Sequence, residues 1–219
     1  MPPAELSSAL REGADELGCP LTADQTNALL SYLALLRKWN SVYNLTAVRD
    51  PAQMLTQHLL DSLSVVPPLR RHLDDSESRL LDVGSGAGLP GMVLAVMLPK
   101  LDVTCIDAVV KKVSFTRQAA AELRLRNLRA VHGRVEVLDT APFQLIISRA
   151  FSSLAGLVHL SRAHLAAGGA WLAMKGKYPT DEVAALPEDV RVFHVEPLRV
   201  PGLQADRCLI WMRLEERTR

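Results

Sequence analysis

The run Leu80-Leu81-Asp82-Val83-Gly84-Ser85-Gly86-Ala87-Gly88-Leu89-Pro90-Gly91 constrains this chain more than any other stretch. An apolar segment ends in an acid and breaks into a glycine-rich turn, which then enters a second apolar segment. A short apolar run bounded by glycine reads as a buried strand. Glycine permits positive φ and close approach of another group to the backbone. Proline suits the first turn of a helix, where the N–H it lacks has no partner anyway. The run therefore predicts strand, turn and helix in that order. Around it, β-rich runs recur at 79–83, 102–107, 128–132, 144–148, 170–175, 191–195 and 208–214, and helical stretches separate the first five. That alternation predicts an α/β fold with a seven-stranded, mostly parallel sheet and helices on both faces. The last two runs leave no room for a helix of normal length between them. They are expected as an antiparallel pair at one end of the sheet.

Upstream the pattern is helical. Leu6, Leu10, Ala14 and Leu17 recur at helical spacing before Gly18 and Pro20. Thr22 with Gln25 forms a capping-box pattern, and Leu29, Leu33, Leu36 and Trp39 mark the stripe of the helix it opens. Asp50-Pro51 with Gln53 opens a third helix, expected to run to about Val66 and stop at Pro67-Pro68. The polar stretch 70–78 reads as a linker. Two units follow from this: a helical extension over 1–78 and an α/β domain over 79–219.

The three cysteines, Cys19, Cys105 and Cys208, are far apart with no CxxC pair, which argues against a disulfide framework and a thiolate zinc site. His58 and Asp61 stand one helical turn apart, but no third ligand accompanies them, so no metal is expected. The opening residues lack the basic and apolar regions of a secretory signal, and the longest clean apolar run, 92–98, is far too short to cross a membrane. A cytoplasmic protein with no membrane association is expected, and a monomer. Asn44-Leu45-Thr46 matches a glycosylation sequon and is read instead as a turn. Net charge is only +1, yet it is unevenly spread. Residues 1–78 carry 6 basic and 10 acidic side chains, and residues 79–219 carry 19 and 14. Lys111, Lys112, Arg117, Arg124, Arg126, Arg129 and Arg134 form a basic region, which fits phosphate or a solvated helix face.

Two ligands suit the glycine turn. Gly86 to Gly91 is a literal G-x-G-x-x-G, and Asp107 follows near the spacing of a ribose-binding acid, as in dinucleotide sites. Asp82 followed by Gly84, Gly86 and Gly88 equally fits an acid two residues ahead of G-x-G-x-G, the frame for S-adenosylmethionine. That molecule carries an ammonium and a sulfonium, so Asp82 would serve its amino end and Asp107 its ribose hydroxyls.

Beyond this loop the sequence resembles the RsmG (formerly GidB) family of small-subunit rRNA guanine-N7 methyltransferases. The resemblance rests on Lys38-Trp39-Asn40, Tyr43-Asn44-Leu45-Thr46, Arg49-Asp50-Pro51 and His58-Leu59-Leu60-Asp61-Ser62, then on the run from Leu81 to Gly91. It continues through Arg134-Val135-Glu136, Ile147-Ser148-Arg149-Ala150-Phe151 and Lys175-Gly176. Where the family commonly has Thr-Gly-Pro-Gly, this chain has Ser85-Gly86-Ala87-Gly88, a mild change. The resemblance implies a Rossmann-like class I methyltransferase domain with an N-terminal helical extension. It also implies S-adenosyl-L-methionine as methyl donor, and 16S rRNA or the small ribosomal subunit as partner. It places the donor against Gly84, Leu89, Val135-Glu136 and Arg149. An NAD(P)-dependent oxidoreductase and a non-catalytic RNA-binding module are the alternative functions.

Guanine N7 carries a lone pair at neutral pH, so its methylation needs alignment of two reactants and no general base. Arg149 and Lys175 are the candidates for positioning the base or its phosphate. Phe151 is a candidate stacking surface or a core side chain. Val135 and Glu136 follow the third strand, where they would grip the adenine. An ion pair with Asp107 or Glu136 is the structural alternative for Arg149.

Overall fold

The computed structural model describes residues 2–73, 77–149, 151 and 153–215. Two helices open the chain, α1 (Pro3–Glu16) and α2 (Ala23–Tyr43). The capping box at α2 is formed: Thr22 Oγ1 accepts from the Gln25 amide while the Gln25 side chain accepts from the Thr22 amide. Asn44 ends α2 in the left-handed conformation, so the sequon is a helix C-cap. Asp50 caps α3 (Pro51–Met54), which passes into a π-helical stretch, Leu55–Leu60, and a final turn, α4 (Asp61–Leu63).

The prolines at 67–68 do not end this helix. They lie in the first turn of the next one, α5 (Val66–His72), where a missing N–H breaks nothing. Arg70 to His72 of the anticipated linker are therefore helical, and residues 74–76 lie outside the described residues.

The sheet strands are β1 (Ser78–Val83), β2 (Leu101–Asp107), β3 (Leu128–His132), β4 (Phe143–Ser148), β5 (Leu165–Lys175), β6 (Val190–Pro197) and β7 (Cys208–Leu214). Their order is β3-β2-β1-β4-β5-β7-β6. The first five are parallel; β7 runs antiparallel to β5 and β6, and β6–β7 is the anticipated antiparallel pair at one end. Between the strands stand α6 (Gly91–Met97), α7 (Val110–Glu122), α8 (Leu154–Ser161) and α9 (Thr180–Ala184). Only a 3₁₀ turn, Val135–Val137, links β3 to β4, where a longer helical stretch was anticipated.

Strand side chains alternate between faces. Leu80, Val103, Cys105, Ile147, Leu172 and Trp211 belong to one buried cluster. Leu81, Ile106, Ile146, Trp171, Ala173 and Ile210 belong to the other. The first cluster also contains Leu10 of α1, Leu29 and Leu36 of α2, Leu59, Leu69 of α5, Met92 of α6 and Phe115 of α7. The N-terminal helices thus share one core with the sheet. The second face is covered by α8 through Leu154, Leu157 and Val158.

One contact ties the helical segment to the glycine turn. The buried Tyr32 hydroxyl of α2 donates to the Ala87 carbonyl at 2.9 Å. Tyr32→Phe leaves that carbonyl without its donor, and the expected loss is about 1–3 kcal/mol of unfolding free energy. Chemical denaturation measures it; an unchanged midpoint shows the bond adds nothing.

Candidate active site

Strand order reverses between β1 and β4. In an open parallel sheet the crevice for ligands lies at such a switch point, beyond the carboxyl ends of the strands. Gly84 follows β1 directly and Arg149 follows β4. The two strand ends are joined by the Ser148 hydroxyl, which donates to the Val83 carbonyl at 2.9 Å.

Gly84, Gly86 and Gly88 all have positive φ, at 66°, 60° and 86°. At Gly86 an added Cβ would meet nothing within 4 Å, and at Gly84 it would meet only Phe151 Cδ2 at 3.8 Å. The backbone there is open to a ligand. At Gly88 a Cβ would strike Thr116, 2.9 Å away, so this glycine serves packing. The amides of Gly84 and Ser85 both donate to the Ile106 carbonyl. Pro90, after a cis Leu89–Pro90 bond, occupies the N-cap of α6. Leu89 is buried, and its amide donates to the Ser85 carbonyl.

Two carboxylates hold the turn from beneath. Asp107 Oδ2 accepts from the Gly86 amide at 2.9 Å and Oδ1 from the Val109 amide at 2.8 Å, with Lys112 Nζ 3.9 Å away. Asp82 is wholly buried; its Oδ2 accepts from the Gly91 amide at 2.8 Å. Its Oδ1 has no hydrogen-bond partner among the described residues. Burial pushes the Asp82 carboxyl up to about 7, against the pull of the Gly91 amide and Arg149.

Val135 and Glu136 lie in the 3₁₀ turn after β3. Val135 is buried and its carbonyl meets His164 Nε2 at 2.6 Å. Glu136 is exposed and paired with Arg134 at 2.7 Å. Its own backbone N–H and then Arg134 hold its carboxyl below the usual range. Phe151 is half-buried beside Gly84 and packs on the second cluster; Ala150 of the same motif lies outside the described residues.

Beside the turn a polar cleft of ≈330 Å³ is lined by Gln57, His58, Asp61, Arg149, Met174, Lys175, Gly176 and Arg207. Arg149 Nη1 donates to the Gln57 carbonyl at 3.2 Å and stands 3.6 Å from Asp61 Oδ2. Its ion pair is thus with Asp61, and with neither Asp107 nor Glu136. Arg207 Nε donates to Asp61 Oδ1 at 2.9 Å. Lys175 Nζ reaches both oxygens of Glu182, at 3.0 and 2.9 Å. His58 Nε2 lies 3.0 Å from Thr46 Oγ1, and its buried Nδ1 has no partner among the described residues. Burial, reinforced by Arg149, lowers the His58 imidazole to about 4. His58 and Asp61 therefore line one cleft but serve different partners.

Asp61, Arg207, Gln57 and Glu182 were not singled out as site residues in the sequence. The i, i+3 spacing of His58 and Asp61 was visible, but the partner of His58 is Thr46 and those of Asp61 come from just after β4 and from the loop before β7.

Solved structures of similar fold include S-adenosylmethionine-dependent methyltransferases. One from Aquifex aeolicus aligns with TM-score 0.59 and 18% identity over 77% of this chain and 96% of its own. The glycopeptide N-methyltransferase MtfA, complexed with S-adenosyl-L-methionine, aligns with TM-score 0.56 and 14% identity over 72% and 95%. A model of the family GidB, rRNA small subunit methyltransferase G, matches residues 25–210. The ribosomal RNA small subunit methyltransferase G of Acidovorax sp. (strain JS42) is 59% identical over 213 residues, 94% of each chain. That of Leptothrix cholodnii is 59% identical over 204 residues, 93% of this chain and 94% of its own. The chain belongs to the rRNA small subunit methyltransferase G family.

The raised Asp82 carboxyl gives a signed expectation. Its folded value, about 7, lies above the ordinary 3.8 of the unfolded chain. The stability it contributes is therefore whole below about 3.8 and is lost as pH rises to about 7. Asp82→Asn has no such proton. The difference in unfolding free energy should shift toward the variant between pH 4 and 7 and level off above 7. A pH series of chemical denaturations checks this; a flat difference overturns it.

Proposed function

We propose that the protein transfers a methyl group from S-adenosyl-L-methionine to N7 of a guanine in an unpaired loop of 16S rRNA. The observation that carries this reading is the adjacency of two unlike sites in a chain of this family. An open glycine turn over buried carboxylates adjoins a cleft rich in N–H donors. The residues fit the donor. Gly84 and Gly86 leave room against the backbone, and the orphaned Asp82 Oδ1 is an acceptor suited to an ammonium. Family membership favours this donor over the dinucleotide that the same glycine spacing admits.

In this reading Asp82, Gly84, Gly86, Leu89, Asp107, Val135, Glu136 and Arg149 hold the donor, while Gly88, packed against Thr116, shapes the turn. Asp82 and Asp107 fix the turn, and the Val135–Glu136 turn borders the adenine end. Arg149 stands where the donor meets the cleft, and Lys175 lines the same cleft. When bound, the donor supplies an electrophilic methyl on a sulfonium. The N7 lone pair forms the new C–N bond as the S–C bond breaks, and no proton moves. No general base is therefore assigned, and His58, held neutral, is not one. The protein's task is alignment, worth several kcal/mol of the barrier. N7 in paired A-form RNA lies in a deep, narrow groove, so a splayed guanine is the acceptor the cleft suits.

The helices that precede β1 act as a buttress for the methyltransferase domain, through Tyr32 and Ala87. In the same reading the protein works on ribosomal RNA in the cytoplasm, as a monomer. No helix among the described residues is long and apolar enough to cross a membrane.

Incubation with methyl-labelled donor and undermethylated small subunits should yield labelled 7-methylguanine at one loop position. Label on another atom, or nicotinamide binding in the absence of donor binding, overturns the reading. Asp107→Ala, which frees the Gly86 amide, should weaken donor affinity about tenfold or more while RNA affinity stays near wild type. Calorimetry with each ligand separates the two; equal loss of both counts against the assignment.

A further inference from the structure

Asp61 has the surroundings of a working residue. It is 3% exposed, and its two oxygens face guanidiniums from two distant parts of the chain. A carboxylate at such depth requires compensating charge, and Arg149 and Arg207 supply more than one carboxylate can cancel.

The geometry at Arg207 is specific. Nε donates to Asp61 Oδ1 at 2.9 Å, and Nη1 donates to the Asp206 carbonyl at 2.9 Å. These two bonds set the plane of the guanidinium. Nη2 is left with no partner among the described residues, in a side chain that lines the cleft. Arginine most often reads guanine by a two-point contact to O6 and N7. That contact would occupy the nucleophile. With Nε held by Asp61, the Nε–Nη2 edge of the fork is closed to a two-point contact, and with one Nη1 hydrogen held by the Asp206 carbonyl, Nη2 is the least engaged donor. A single donor can hold O6 and leave the N7 lone pair clear.

Charge points the same way. Around the cleft stand Arg149, Arg207 and Lys175, against Asp61 and Glu182, with His58 neutral. Methylation at N7 makes the purine a cation, so each uncancelled positive charge opposes the transition state. We infer that Asp61 is a positioning residue for the acceptor purine. It fixes the plane of the Arg207 guanidinium beside Arg149, leaves Nη2 as its nitrogen without a partner among the described residues, and cancels one of their two charges. This rests on the reading of guanine N7 as the acceptor.

The test is Asp61→Asn, whose amide oxygen can still accept from Arg207 but whose charge is gone. Single-turnover and steady-state assays on undermethylated subunits should show kcat lower by about 10- to 100-fold, because a guanidinium charge left uncancelled opposes the positive charge developing on the purine. Dissociation constants for donor and for RNA should stay within about twofold, or RNA should bind tighter, because the cleft has gained net positive charge. A purely structural role predicts parallel losses of donor affinity, RNA affinity and melting temperature. That pattern, or wild-type kcat, overturns the inference.

If the variant does not fold, Arg207→Lys examines the same pair from its other end. Lysine keeps the charge but not the Nε bond and planar fork. It should lose kcat by the same order with RNA affinity kept, and wild-type turnover would overturn the inference. In an Arg207→Met background, Asp61→Asn should cost less than it does alone; full additivity of the two effects on kcat also counts against it. The acceptor atom is mapped with the wild-type protein, so a failure of the methyl-transfer reading is seen separately.

Discussion

The close approach of α6 to the sheet at Gly91 governs the site. A Cβ there would lie 2.6 Å from Cys105 Sγ and 2.9 Å from Asp82 Oδ2. With no side chain, the start of α6 sits directly on β1 and β2, and Asp82 takes the Gly91 amide. The seven residues from Gly84 to Pro90 must then turn within a very short span. Three of them do so at positive φ, which only glycine adopts without strain. Three anchors hold the turn: Asp82 from β1, Asp107 from β2 and Tyr32 from α2. The open backbone at Gly84 and Gly86 follows from that compression. The N-terminal helices belong to the site because one of the anchors is theirs.

The two halves of the crevice differ in charge, and the proposed reaction has to work against that difference. Under the turn lie two carboxylates, one of them raised by burial to about 7. Across from them the cleft gathers two arginines and a lysine. Methyl transfer carries positive charge from the donor toward the acceptor, that is, toward the cationic side. Such a step is opposed unless the cleft's own cations are cancelled locally. Asp61 and Glu182 do this while leaving N–H groups in place for a base. His58 adds nothing at neutral pH because burial holds it unprotonated.

The strands were legible because each is a short β-rich segment between breakers, and strand alternation divides their side chains between two separate clusters. Helix starts at Thr22 and Asp50 were legible because capping is local chemistry. Pro67 and Pro68 misled, since proline stops a helix only beyond its first turn and the sequence does not say which turn it occupies. The link from β3 to β4 was too short for the helix expected of it. At the site, Asp82, the glycines, Asp107 and Arg149 were legible because they end strands, and strand ends border the crevice. Asp61 and Arg207 were not. Asp61 showed only as the i+3 neighbour of His58, its pairing with Arg207 joins residues 146 apart in sequence, and a lone arginine in a loop carries no periodic signal.

That same consumption of charge by structure narrows how the protein can hold RNA. Much of the basic region is already engaged: Arg129 pairs with Asp102, Arg134 with Glu136, and Arg117 Nε donates to the Ala130 carbonyl. A chain of net charge +1 exerts little long-range pull on a polyanion. Affinity for rRNA must then arise from a few short-range contacts, and selectivity with it, because phosphate attraction alone carries no sequence information. The cleft meets that requirement. Its cations are paired closely enough to be fixed in direction, and they retain donors enough to read a base.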